Sequence, residues 1–328
     1  MEEKGKKGRM DYTLLLIVVL LVVIGLVILY STSAYNGQVK FHDSFYYLKK
    51  QAFATVLGIV LMLFVAGMDY HIWQRLAVFG YLAAVALSVA VMLFGREING
   101  SKRWLALGPF SFQPSEFAKV ALILFLADLV TKNVKTIGKM WTLCRIMFWI
   151  LPIVGLVGAS NLSTAIIILG IGVILIFVAS PKYAQFALMG IVGACFMGIF
   201  LALESYRLER LAIWRNPEKY EKGYQTLQGL YAIGSGGVFG VGIGNSVQKL
   251  GFVPEAQNDM IFSIICEELG LAGAGIIVFL FLLLIWRFFL IASGSRDLFG
   301  ALIATGAMAH MMIQVILNIA VVTNTIPN

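Results

Sequence analysis

Continuous apolar runs recur along this chain, each near the roughly 20 residues that span a bilayer core. They fall near 12–30, 51–68, 76–95, 113–131, 143–160, 162–180, 184–203, 260–291 and 297–322. The runs are unbroken rather than alternating, which argues for helices and against a transmembrane barrel. The pattern predicts an all-α polytopic membrane protein, a single transmembrane domain over 1–328 with about nine helices. One polar interval is long: 204–258, between the seventh and eighth spans. Trp214, Tyr220, Tyr224, Leu227, Leu230, Tyr231, Val238 and Phe239 make it too apolar for a floating linker.

Composition agrees: 60% of residues are hydrophobic and 13% are charged, which excludes a soluble domain. The first run, Tyr12 to Tyr30, is followed by Ser31-Thr-Ser-Ala34, a sequence that resembles a signal cleavage site. The run is longer than the apolar core of a cleaved signal, so an uncleaved first helix is expected. Cys144, Cys195 and Cys266 lie in or beside apolar runs without metal-ligand spacing and are expected to be small buried hydrophobes.

The net charge of +8 comes from basic residues scattered through short loops. They read as topology determinants and lipid-headgroup contacts, with no nucleic-acid partner. With the N-terminus inside, inner and outer segments tie in their count of Lys and Arg. Leaving out the long 204–258 segment, where the rule is weakest, the inner segments lead. The expected arrangement has 1–11 as a cytoplasmic tail and 204–258 as a large extracytoplasmic loop.

Three groups carry candidate chemistry. Asp259 ends the polar loop directly before Met260-Ile261-Phe262, and a carboxylate at a helix mouth is costly unless solvated, paired or used. Glu116 and Lys119 stand three apart in the fourth span and share a helix face. They are either an acid–base pair facing a wet cavity or a helix-start arrangement with Lys119 snorkelling. His310, Gln314 and Asn318 share a face of the ninth span, where polar residues bond helices together.

The run 229–244 is rich in glycine. It lacks the Gly-Lys-Ser/Thr ending of a phosphate loop. Its backbone N–H groups are candidates to hold a pyrophosphate; the alternative is a tightly packed re-entrant loop. Glu267 and Glu268, followed by Gly270-Leu-Ala-Gly-Ala-Gly275, predict a kinked helix turn. No His/Cys cluster suggests a metal cage, and nothing supports a Ser-His-Asp triad. A single Mg²⁺ or Mn²⁺ shared by Asp259 and a substrate phosphate is compatible with the residues, and no organic cofactor is expected.

Gly223-Tyr-Gln-Thr-Leu-Gln228, Gly244-Asn-Ser-Val-Gln-Lys-Leu-Gly-Phe-Val-Pro-Glu-Ala and Asn258-Asp-Met-Ile-Phe-Ser-Ile-Ile-Cys-Glu-Glu-Leu-Gly270 resemble the FtsW/RodA/SpoVE, or SEDS, family. Gly100-Ser-Lys-Arg-Trp-Leu, Gln113-Pro-Ser-Glu-Phe-Ala-Lys119, Gln314-x-x-x-Asn318 and Thr325-Ile-Pro-Asn328 add to the resemblance, which covers essentially the whole chain. The Asn-Ser-Val-Gln-Lys-Leu and Pro-Glu-Ala pieces look more like the FtsW/SpoVE branch. Departures are Gln257-Asn258, where many members have His-Thr, and Ser160-Asn161-Leu-Ser-Thr164, where many have Pro-Asp-Leu-Gly-Thr. The family has ten spans, so this chain, stopping at Asn328, is expected to lack the last helix.

The resemblance implies a peptidoglycan glycosyltransferase of the bacterial plasma membrane. Such an enzyme polymerises lipid II on the outer face, in division or cell-shape control. Its partners would be a class B penicillin-binding protein and other divisome or elongation proteins. The family's essential aspartate falls on Asp259 and its cavity pair on Glu116 and Lys119. Arg103, Lys119, Lys249 and the glycine-rich backbone are candidates for phosphate contact. Gln225, Gln228, Ser235, Gly236, Gln314 and Asn318 complete the expected substrate-binding set. The rival readings are a flippase for lipid-linked oligosaccharide and a non-catalytic scaffold for a transpeptidase.

Overall fold

The computed structural model describes residues 10–98, 101–107, 110–187, 190, 212–254 and 256–327. Eight long helices match eight of the expected spans: α1 (Tyr12–Phe41), α2 (Tyr46–Ala66), α3 (His71–Phe94), α4 (Pro114–Asn133), α5 (Met140–Gly158), α6 (Leu162–Ala179), α8 (Ile261–Ser293) and α9 (Leu298–Val322). A shorter helix, α7 (Tyr224–Ser235), lies in the long loop. Among the described residues, seven helices are long and apolar enough to cross a bilayer. α4 is of similar length but carries Glu116, Lys119, Asp128 and Lys132. The expected seventh span, 184–203, lies outside the described residues except at 184–187 and 190.

The chain divides into two compact units, 1–68 with 201–287 and 316–328, and 69–200 with 288–315. In the first unit α1 corrects the expected end at Tyr30 by continuing to Phe41. Thirty residues rise about 45 Å, beyond the roughly 30 Å apolar core. Its C-terminal turns survive because their polar side chains are satisfied: Thr32 and Ser33 both donate to the Leu29 carbonyl, at 3.1 and 2.6 Å. Asp11 caps the N-terminal end, accepting from the Leu14 N–H at 2.8 Å. Arg287 also pairs with Asp11. α2 is apolar with no buried residue, as suits a helix largely facing lipid.

α8 is broken at Gly270, whose φ of 66° and ψ of −173° leave the helical region. This is the kink expected after Glu267 and Glu268. The described part of the long loop is structured, with 3₁₀ turns at Pro217–Lys219 and Glu221–Gly223 leading into α7.

In the second unit α4 supplies much of the core through Ala118, Leu122, Leu126, Ala127 and Val130, all fully buried. Tyr81 of α3 stacks on Phe125 of α4 at 4.3 Å between centroids, and its hydroxyl donates to the Trp149 carbonyl of α5 at 2.7 Å. Between α3 and α4 lies a small antiparallel sheet, β1 (Arg96–Ile98), β2 (Ser101–Leu107) and β3 (Phe110–Phe112), with Leu105 opposite Phe112. The all-α reading did not foresee it, since strands this short carry little periodic signal. Cys266 is buried as expected, Cys144 instead lies on an outward face of α5, and Cys195 is outside the described residues. An outward face of a membrane helix is also apolar, so a small thiol suits either side.

Candidate functional site

Asp259 occupies the last turn before α8, with Ile261 the first helical residue. Its neighbours are held from below. Ala256 and Met260 are buried in a cluster with Ala232, Val253, Ile264 and Val322. Asp259 itself is exposed. The Asn318 amide donates to the Asp259 backbone carbonyl at 3.3 Å, and Asn36 of α1 donates to the Gln257 side chain at 3.2 Å. The result is a carboxylate facing outward from a turn whose backbone and neighbours are packed.

The glycine-rich segment pairs its backbone with α8. It fills the break in α8. Val241 and Gly242 N–H donate to the Glu267 and Glu268 carbonyls at 2.9 and 3.0 Å. Leu271 and Ala272 N–H donate to the Gly237 and Val238 carbonyls at 2.9 and 3.0 Å. A broken helix leaves carbonyls and N–H groups unpaired, and this segment pairs both sets. A Cβ on Gly240 would lie 2.2 Å from the Glu268 carbonyl oxygen, so only glycine permits the approach. The Val241 and Gly242 N–H groups are thereby used internally and are not offered to a pyrophosphate.

Lys249 is also placed differently from expectation. It is buried, its ammonium 2.6 Å from Glu268 and 2.9 Å from the Ser31 hydroxyl. A charge so engaged is not presented to a phosphate, and Lys249 is not carried into the proposed substrate contacts. Gly236 packs on α8, where an added Cβ would meet the Cys266 carbonyl at 1.9 Å. Ser235 donates to the Ala232 carbonyl at 3.0 Å. Gln225 reaches the Pro254 carbonyl at 3.4 Å, and Gln228 is half-buried one turn on.

In the second unit Glu116 and Lys119 form a pair at 2.8 Å. Lys119 is 1% exposed while the Glu116 side chain is 55% exposed, so the lysine does not snorkel; it lies behind its partner. Its ammonium also donates to Gln314 Oε1 at 3.3 Å, and that oxygen is 3.0 Å from His310 Nε2. An ammonium only donates, so the amide oxygen must face it. His310 therefore carries its proton on Nε2 and leaves Nδ1 as an acceptor. Arg103 Nε donates to the Ser160 carbonyl at 3.0 Å, and both residues line a small recess with Ser115 and Asn161.

Sequence reasoning missed several polar groups. Buried Asp128 pairs with Lys132 at 2.6 Å and accepts from Gln74 at 3.0 Å. His71 sits 2.7 Å from both Asp69 and Asp297. Lys132 follows Asp128 by one helical turn, a visible signal. The contact of Lys249 with Ser31 has none, since it joins residues 218 apart.

A family model described as cell cycle protein, covering FtsW, RodA and SpoVE, matches residues 12–328. The chain is 38% identical to stage V sporulation protein E of Bacillus subtilis (strain 168), over 98% of this chain and 90% of that protein. It is 34% identical to the probable peptidoglycan glycosyltransferase FtsW of Trichlorobacter lovleyi, over 97% of this chain and 85% of that one. Its fold resembles a solved structure concerning coordination of polymerization and crosslinking by a peptidoglycan synthase complex, with TM-score 0.81, 27% identity, and 97% and 88% of the two chains covered. It also resembles the rod shape determining protein RodA of Thermus thermophilus, with TM-score 0.68, 26% identity, and 95% and 84% covered. The chain belongs to the FtsW/RodA/SpoVE family, multi-pass proteins of the membrane.

Proposed function

We infer that this chain is a peptidoglycan glycosyltransferase, and that Asp259 is its catalytic carboxylate. The observation that carries the site assignment is an exposed Asp259 on a turn whose neighbours Ala256 and Met260 are buried. A reacting group held on a packed support meets the need for fixed geometry. The proposed reaction consumes lipid II. The acceptor GlcNAc 4-hydroxyl attacks the sugar carbon bonded to the lipid pyrophosphate. A C–O bond forms there, the bond to pyrophosphate breaks, and the lipid pyrophosphate leaves with the electron pair. Asp259 accepts the hydroxyl proton.

Among the described residues no three His, Cys, Asp or Glu side chains gather as a metal cage. The exposed Asp259 carboxylate would hold Mg²⁺ or Mn²⁺ as one ligand if substrate and water supplied the others. Such an ion would neutralise pyrophosphate charge.

The excess of basic residues on short inner segments supports an N-terminus in the cytoplasm and a site facing outward. The partner proposed is a class B penicillin-binding protein, by likeness to a peptidoglycan synthase complex.

The test is purified full-length Asp259→Asn with lipid II and Mg²⁺ or Mn²⁺. We expect no glycan ladder from protein that is folded and monodisperse. Full polymerisation by this variant would sink the assignment of Asp259. Movement of labelled lipid II across vesicles without polymer would favour the flippase reading instead.

A further inference from the structure

Three ionisable side chains near the broken helix take no part in the proposed chemistry: Lys249, Glu267 and Glu268, all buried. Glu268 accepts from Lys249 at 2.6 Å and from the Ser31 hydroxyl of α1 at 2.7 Å. Lys249 also donates to that hydroxyl at 2.9 Å, closing a triangle. Glu267 accepts from the Val247 N–H at 3.0 Å and from the Ser246 hydroxyl. Neighbouring carboxylates thus hold neighbouring loop residues, from Ser246 to Lys249, against the end of the first half of α8.

Burying such a pair commonly costs more in lost hydration than the attraction returns, so net stability is a weak reason for it. What the pair does supply is a fixed connection. The segment from Lys249 to Glu268 begins and ends at this clamp. Along it the chain runs through the loop to Asp259 and returns through the helix from Ile261. Glu268 lies roughly 13 Å along the helix from Asp259 at about 1.5 Å per residue, too far for direct contact with a reacting group there. Lys249 also sits where the first half-helix ends, the end that favours a cation. Tyr35 lies against Gly251 and Asn36 against Gln257, so α1 supports the same segment at further points.

We propose that Glu268, acting through Lys249 and Ser31, is a positioning residue: the buried pair anchors the loop to α8 and α1 and so fixes where the Asp259 carboxylate stands during turnover. The proposal rests on the reading of Asp259 as the catalytic group. A pair serving only folding would change the amount of folded protein and leave turnover per folded molecule unaltered. A pair that positions Asp259 changes turnover and leaves substrate affinity alone.

The experiment uses the full chain with lipid II, comparing Ser31→Ala, Glu268→Gln, the exchange Lys249→Glu with Glu268→Lys, and Asp259→Asn. For Glu268→Gln we expect kcat to fall about tenfold or more with KM within about twofold. Ser31→Ala, the mildest change, should lower kcat by about threefold, and the exchange should recover most of the loss. Amide hydrogen exchange over 245–260 should quicken in Glu268→Gln and stay as in the wild type in Asp259→Asn.

Folded Glu268→Gln with wild-type kcat overturns the proposal. An effect confined to KM also overturns it and returns Lys249 to substrate contact. If Glu268→Gln does not fold, Ser31→Ala and the exchange decide: an unchanged kcat in the first, or no recovery in a folded exchange variant, overturns the proposal. Asp259→Asn polymerising at full rate sinks the reading of Asp259, whatever Glu268→Gln does. Inactive Asp259→Asn beside unaffected Glu268→Gln sinks the positioning role alone.

Discussion

Lys119 and Lys249 are both buried ammonium groups, and their partners give them different work. Lys249 meets a carboxylate that is wholly buried, so the pair faces inward. Lys119 meets Glu116, more than half exposed, so one member of that pair remains open to its surroundings. Only the second arrangement leaves a charge, the Glu116 carboxylate, open at a surface. Outside the spans, Asp69 and Asp297 face His71 from two loops. The His71 backbone N–H, then its ring, hold the Asp69 carboxyl below the usual carboxylate range. Burial works to raise Asp297, but the Gly300 N–H, His71 and Tyr70 outweigh it and leave that group lowered too. A lowered carboxylate stabilises the fold above its unfolded value, and the contribution is lost as pH falls through the folded one. The effect is therefore complete above about pH 4 and disappears in stronger acid. The thermal midpoint of Asp297→Asn should lie below wild type near neutral pH, and the gap should close as pH falls from about 4 to about 2. A constant gap across that range would contradict it.

At the scale of elements, the break in α8 and the glycine-rich segment form one structure. Neither is stable inside a membrane protein without the other, because each leaves backbone groups that the other pairs. The glycines are therefore unequal. Gly240 has φ of +76° and no room for a Cβ, whereas Gly237 has φ of +55° and nothing within 4 Å of an added Cβ. Gly237→Ala should cost about 1 kcal/mol, the strain of a left-handed alanine. Gly240→Ala carries the same strain plus a backbone collision, and should cost more than about 3 kcal/mol. Thermal unfolding of the two variants in detergent compares them directly. Equal midpoints would mean that the segment does not enter the break as described. The kink was legible beforehand from Glu267, Glu268 and the small residues after them. The segment that fills it was not, since its partners come from a different helix.

For the whole molecule, the question is which face of the membrane each loop occupies. The proposed orientation puts 212–254 outside and the α4–α5 connection inside. Phe239 and Lys135 are both exposed. In a chain with its own cysteines replaced, Phe239→Cys should react with a membrane-impermeant thiol reagent in intact cells. Lys135→Cys should react only after permeabilisation. The reverse pattern would invert the topology and remove the outward-facing site.

The eight described spans were readable from the sequence to within a few residues at most ends, because a bilayer forces each crossing segment to satisfy its own backbone and present apolar side chains. The place of Asp259 was readable for a related reason: a carboxylate bordering such a run stands out against it. α1 ran past its expected end because its polar turn beyond Tyr30 is satisfied partly through Ser31 and Glu268, a contact invisible to local periodicity. The same limit explains Lys249. Its spacing, charge and loop placement suited a phosphate ligand equally well. Its role was decided by a carboxylate 19 residues on and a hydroxyl 218 residues earlier, brought together by folding. Local apolar patterning sets where the chain crosses the membrane and which carboxylate stands at a helix mouth. Which charges are consumed internally and which remain exposed emerges on folding, because pairing a buried charge depends on partners far away in the chain.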